Sequence, residues 1–194
     1  YLAHKNRGEF IAAVLEGLPE APQYFQHNAK LNHDGPELVD WEPKQLPWVE
    51  PSRDLTDATK HYVVDIRDAA AYSAAHIPNS VAIGLRGRLE TWVGIMVPWD
   101  AKLVLAGEEK DLREALFRLH RVGYRAQLLD INKWKAASLP LVTSEMIPPQ
   151  KLHAQMQTTE SPLVLDVRLP PEWMGLRIGT VINIPLSVLS QRVG

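Results

Sequence analysis

Asp65 and Arg67 stand two residues apart at the end of the run Tyr62-Val63-Val64-Asp65-Ile66, and Asp166 and Arg168 repeat the pair later in the chain. On an extended strand that spacing puts both side chains on one face. Two chemistries follow: acid–base work by the carboxylate, or a charge-assisted tie from the strand end to adjacent loops. Recurrence of the pair suits the tie, because a duplicated scaffold carries its scaffold residues with it. His76 lies in His76-Ile77-Pro78, and its counterpart is Arg177. Histidine and arginine share no acid–base chemistry near neutral pH, so a polar anchor for the turn fits both.

The correspondence extends further. Tyr72 and Trp173, Ile77 and Ile178, and both members of the Asp–Arg pairs are each separated by 101 residues. An ungapped repeat of that period implies two copies of one small domain. By that offset Gly194 corresponds to Val93, so the second copy is expected to be partial and the chain to be a piece of a longer protein. A partial copy without its central strands exposes sheet edges and is expected to be marginal unless packed against something.

Several chemistries are excluded. The chain has no cysteine, hence no disulfide, no thiolate nucleophile and no thiolate metal ligand. Its seven histidines are scattered, without the close spacing of a metal site, so no metal is expected on this chain. A net charge of −2 gives no nucleic-acid footprint and no polybasic membrane anchor. No apolar run approaches the roughly 20 residues of a membrane span. With 45% apolar and 23% charged residues the balance is that of a globular protein. No export signal follows Tyr1, which sets the expectation of a cytoplasmic protein.

The elements that must position these residues are partly legible. Residues 6–18 read as a helix with Asn6 as cap, Glu9 in a capping box, and Phe10, Val14 and Leu18 on one face, stopped by Gly17 and Pro19. Residues 19–51 show no period, and Asn32 to Pro36 reads as a turn. Strands are expected over 62–66, 80–83, 102–106 and 126–129, with helices over 68–75, capped by Asp68, and 111–122, closed by Gly123. After a linker over 140–149, a helix over 146–156 and strands over 161–167 and 181–185 follow. Strands alternating with helices predict an α/β fold with a parallel sheet flanked by helices. The Trp92, Trp99 and Trp134 cluster, with Met96, reads as core or interface.

Asp65-Ile66-Arg67 with Tyr72 and His76-Ile77-Pro78-Asn79-Ser80, then Trp134 to Pro140, resemble a rhodanese-like domain, and Asp166-Val167-Arg168 through Leu186 resemble the first half of another. Glu9-Phe10, Tyr24-Phe25, Asn28, Asn32 and Gly35-Pro36 resemble the C-terminal tail of a metallo-β-lactamase-fold protein. The order resembles persulfide dioxygenases fused to rhodanese domains. The resemblance divides the chain into a helical tail and linker over 1–50, a degenerate rhodanese-like domain over 51–142, and a partial second one over 143–194.

What that resemblance implies is a site without its nucleophile. The family's cysteine sits in a loop of backbone N–H groups opening a helix, where the dipole stabilises an anionic sulfur. Here the position falls on Gly107, in a loop expected between the strand and a helix starting near Asp111. Glycine forms no persulfide, so no residue is assigned as catalytic. Glu108 and Glu109 follow. They either close the anion site with charge or are ordinary acidic first-turn residues, stabilised by about 0.3–1 kcal/mol. The resemblance implies a non-catalytic portion of a sulfur-metabolism fusion whose parent oxidises persulfides or transfers sulfur. Non-haem iron or zinc would lie in the parent's upstream lactamase-fold domain, the expected partner, and a homo-oligomer is compatible. The alternative is a stand-alone inactive rhodanese-like module that holds a protein at the empty Gly107 loop or the Trp-rich region.

Overall fold

A computed structural model of the chain describes residues 6–16, 23–35, 38–179 and 181–192. By compactness the chain forms two units, Tyr1–Leu38 and Val39–Gly194. In the first, α1 (Arg7–Leu15) starts at Asn6, whose Oδ1 accepts the Glu9 amide at 2.9 Å. The Glu9 carboxylate takes the Asn6 side-chain amide, not its backbone amide, so the capping box is only half formed. The helix ends at Leu15 because Glu16 is extended; the expected stop at Gly17 to Pro19 lies outside the described residues.

The aperiodic reading of residues 19–51 is corrected twice. Gln23–Asp34 forms helix α2, in which Gln, Ala, Lys and Leu outweigh the asparagines that suggested a turn. The helix runs through Asn32-His33-Asp34, and Gly35, at φ +86°, ends it. Further on, residues 46–49 join the second unit as an edge segment. Trp48 bridges Leu128, the Val49 amide donates to Leu128 O at 2.9 Å, and the Leu128 amide donates to Pro47 O at 2.9 Å.

The second unit holds a four-stranded parallel sheet in the order β2-β1-β3-β4, from β1 (Tyr62–Asp65), β2 (Val81–Ala82), β3 (Leu103–Gly107) and β4 (Ala126–Asp130). Side chains alternate between two buried layers, as a sheet covered on both faces requires. Val64, Leu105 and Leu128 pack on one face with α4 (Leu89–Met96) and α5 (Glu109–His120). Val63, Val104 and Leu129 pack on the other with Leu55 and with Ile131 and Trp134 of α6 (Ile131–Ala136). Asp68 caps α3 (Ala69–Ala74) through the Ala71 amide at 2.8 Å. Behind α5, Gly123 at φ +86° donates to His120 O, and Tyr124 donates to Leu119 O, the paired bonds of a Schellman stop.

The tryptophans do not form one cluster. Trp134 is fully buried with Val104 and Leu129, Trp99 stacks on Tyr124 at 4.0 Å on the opposite face, and Trp92 remains partly exposed on α4.

The second copy repeats the first in smaller form: α7 (Pro149–Met156), β5 (Leu165–Asp166), α8 (Pro170–Gly175), β6 (Ile182–Asn183) and α9 (Leu189–Arg192). Leu165 pairs with Ile182 and Asp166 with Asn183, the register of Val64 with Val81 and Asp65 with Ala82. The strand expected over 161–167 is reduced to two residues because β5 has one neighbour, itself two residues long. The helix expected over 146–156 begins at Pro149, since Pro148 and Pro149 suit a helix start and not its interior.

Candidate functional site

In a parallel α/β sheet the C-terminal strand ends and the helix starts beyond them are where ligands bind. Here that region comprises Asp65 to Arg67 after β1, Gly84 to Arg88 after β2, and Gly107 to Glu109 after β3. The expected loop after β3 is absent. β3 runs to Gly107, Glu108 is the single intervening residue, and α5 begins at Glu109. The amides of Asp111 and Leu112 both donate to Glu108 O, closing the first turn at once. Glu108 alone separates strand from helix, a connection shorter than the one expected.

Gly107 is buried, and its place is filled from the side. A Cβ built there would stand 2.7 Å from Ile66 Cγ1 and 3.1 Å from Ile66 Cδ1. Ile66 is itself core, with Leu112 on the same side. Glycine at 107 is thus a close-approach residue beneath a packed isoleucine, and the empty loop of the sequence reading is a filled one. The repeat pattern names Ile66 only as part of a motif; its approach to Gly107 arises from strand register and has no sequence signal.

Glu108 occupies the N-cap position but makes no side-chain cap bond. Its carboxylate pairs with Lys110 at 2.8 Å. That hydrogen bond and the Lys110 charge hold its pKa below the usual glutamate value, with smaller contributions from Arg67 and Lys135. Glu109 is an exposed first-turn residue. The first residue of α5 is thus an acidic one, where an anion-binding helix end would present its amides to a ligand.

The Asp–Arg pairs are clamps. Arg67 Nε and Nη2 reach both oxygens of Asp65 at 2.9 and 2.6 Å, and Nη2 also donates to Ala75 O, at the end of α3, at 2.7 Å. Asp65 is fully buried and both its oxygens are taken by this one guanidinium. In the second copy Arg168 meets Asp166 at 3.0 and 2.6 Å and Leu176 O at 2.7 Å. Hydrogen bonding from Arg168 lowers the Asp166 pKa, and Asp166 raises that of Arg168.

His76 stacks on Tyr72 at 3.8 Å, its Nδ1 lies 2.8 Å from Tyr72 O, and its backbone pairs with Val142 in both directions. Arg177 lies over Trp173 at 4.6 Å. Both side chains therefore cover the aromatic ring four residues earlier. None of these residues converges on Gly107 to form a reactive constellation. Among the described residues no three His, Cys, Asp or Glu gather as metal ligands.

Two features escaped the sequence reading. Arg118 of α5 donates to Glu90 at 2.7 Å and to the carbonyls of Leu85 and Gly87 at 2.6 and 3.1 Å, fixing the loop after β2. A cleft of about 360 Å³ lies over that loop, lined by Ile66, Leu85, Arg88, Trp92 and Met96 and, from the second copy, Leu186. Both join residues distant in sequence, so periodicity carries no trace of them.

The architecture agrees with a family comparison. Residues 50–137 match the family model of the rhodanese-like domain. Gly107 lies inside the matched segment, whereas the second copy lies outside it. No curated protein matches the chain. Among solved structures, a metallo-β-lactamase from Staphylococcus aureus is similar at 22% identity and TM-score 0.52, over 64% of this chain and 36% of that one. A rhodanese-like domain from Anabaena is similar at 18% identity and TM-score 0.43, over 46% of this chain and 98% of that one. A longer Anabaena protein matches at 17% identity and TM-score 0.45, over 52% of this chain and 94% of that one. Among the described residues no helix is long and apolar enough to cross a membrane.

Proposed function

We propose that this chain is the non-catalytic rhodanese-like portion of a metallo-β-lactamase/rhodanese protein of sulfur metabolism, acting in the cytoplasm. The parent oxidises persulfides or transfers sulfur, and this portion serves as a docking and architectural domain. The observation that carries the reading is Gly107 beneath Ile66 at the end of β3. Sulfur transfer through an enzyme persulfide needs a thiolate, a donor sulfur within reach, and a cradle of N–H groups for the anion. At Gly107 there is no sulfur atom, the space for one is occupied by Ile66, and the next residue is Glu108, paired with Lys110. The staphylococcal metallo-β-lactamase shares the fold over 64% of this chain.

Iron or zinc chemistry belongs, in this reading, to the upstream domain. The described residues of this chain do not gather a ligand set for it. Contact with that upstream domain, or with a second chain, is the partner role that remains. The stand-alone binding module is the second reading. Its Gly107 pocket is filled, but its Trp92 surface persists as one wall of the cleft under Leu186.

The test is a thiosulfate–cyanide assay on the purified chain, together with the reading frame upstream of Tyr1. The expected outcome is no thiocyanate above the protein-free rate and a His-x-His-x-Asp-His cluster upstream. Turnover by this cysteine-free chain defeats the non-catalytic reading. A start codon next to Tyr1 defeats the fusion and leaves the binding module.

A further inference from the structure

The cleft over the loop after β2 has one wall made by a single helix face. Arg88, Trp92 and Met96 follow one another at intervals of four along α4, from its N-cap to its last residue, and all three line the cleft. That spacing sets them on one face of the helix. Trp92 is 38% exposed there. Ile66 and Leu85 line the cleft as well, and Leu186 of the second copy joins them. Leu186 is the counterpart of Leu85 at the 101-residue offset. Their backbones match too: the Leu85 amide donates to Ile66 O at 2.8 Å and the Leu186 amide to Val167 O at 2.9 Å. Equivalent turns of the two copies therefore meet at one cavity. The loop itself is already fixed, since Arg118 holds the carbonyls of Leu85 and Gly87. Ile66 both lines the cleft and packs on Gly107, so the side chain that closes that position is part of the cleft wall.

We propose that this cleft is a binding site for a small organic anion with an apolar body, such as a short-chain carboxylate. Charge at the rim selects the anion. Arg88 makes no side-chain hydrogen bond or ion pair among the described residues. Arg86 stands 3.7 Å from Asp111, beyond hydrogen-bond reach. The carboxylate in the lining, Asp68, has one oxygen committed to the Ala71 amide. Two guanidiniums thus stand against one carboxylate, and an uncommitted guanidinium takes an incoming carboxylate in a bidentate pair. The apolar body lies along Trp92 and Met96, beside Leu186. Size selects a small ligand, because ligand pockets span about 300–1,000 Å³ and this one holds about 360 Å³. A loop already held by Arg118 loses little freedom when the ligand enters. Because the site takes residues from both copies, its ligand ties them together, a role that goes beyond the proposed function and does not depend on sulfur chemistry.

Titration of the 194-residue chain with sodium octanoate, followed by amide NMR, tests this, with octylamine as the cationic control. Saturable shifts are expected at Gly84, Gly87 and the Trp92 indole N–H, with a Kd of about 1 mM or tighter. Octylamine is expected to bind at least about tenfold more weakly, since its charge meets the two guanidiniums. Arg88→Gln is expected to weaken octanoate about fivefold by removing the charge-assisted pair. Leu186→Ala is expected to weaken it about threefold by removing apolar contact. Octylamine binding as tightly as octanoate overturns the proposal, as does octanoate binding that either variant leaves intact. Shifts confined to exposed apolar residues of the second copy, such as Leu163 and Leu176, also overturn it. No readout depends on sulfur transfer or on the sequence upstream of Tyr1, so failure here is distinct from failure of the proposed function.

Discussion

Around Asp65 and around Asp166 the molecule builds the same clamp in opposite surroundings. Each arginine-to-carboxylate and arginine-to-carbonyl distance agrees between the copies to within 0.1 Å, yet Asp65 is sealed in the core while Arg168 and its neighbours meet solvent. The difference separates local from distant causes. A strand end, a six-residue helix and an Asp-x-Arg pair suffice to set the clamp. Burial comes from β3, α5 and β4, which only the first copy has here. The clamp is thus part of the scaffold in both settings, while its energetic weight depends on desolvation.

That comparison makes ordered predictions. Arg67→Ala strands a buried carboxylate and is expected to cost about 3–5 kcal/mol in chemical denaturation. Arg168→Ala, at an exposed site, is expected to leave the main unfolding midpoint unmoved. A comparable loss from both would erase the distinction between the copies. Next, Ile77→Ala is expected to cost about 2–5 kcal/mol through the cavity it leaves. Ile178→Ala is expected to stay within about 0.5 kcal/mol, as surface changes do.

The smallest effect concerns Glu90, whose carboxyl the Arg118 hydrogen bond holds below its ordinary value of 4.5. A depressed folded pKa contributes stability above pH about 4.5 that is lost as the pH falls through the folded value. Glu90→Gln is therefore expected to flatten the acid limb of a stability–pH curve below that point. An unchanged acid limb would remove Arg118–Glu90 from the forces fixing the loop after β2.

Much of the first copy was legible because its signals are local. β-branched runs mark β1, Asp68 caps α3, and Gly123 ends α5 through its positive φ. The 101-residue offset places β5 and β6 as repeats of β1 and β2, and their register repeats too. Helix α2 was hidden by its Asn and Asp content, and α4 by an apolar run, Trp92 to Met96, that reads equally as a surface patch. Residues 46–49 have no strand pattern of their own and order only against Leu128. At the candidate site the missing nucleophile was plain from Gly107. The packing of Ile66 over it was not, because it depends on how β1 and β3 are aligned, with paired residues such as Val64 and Leu105 far apart in the chain.

The central claim is that position 107 is closed, and the most direct measurement is the reactivity of a thiol placed there. The natural chain has no cysteine, so Gly107→Cys offers a single reporter without background. With folding verified by circular dichroism, this thiol is expected to resist a disulfide reagent until denaturant is added. Adding Ile66→Ala in the same background is expected to expose it. Rapid stoichiometric reaction of the folded single variant, accompanied by thiocyanate production from thiosulfate and cyanide, would contradict the account.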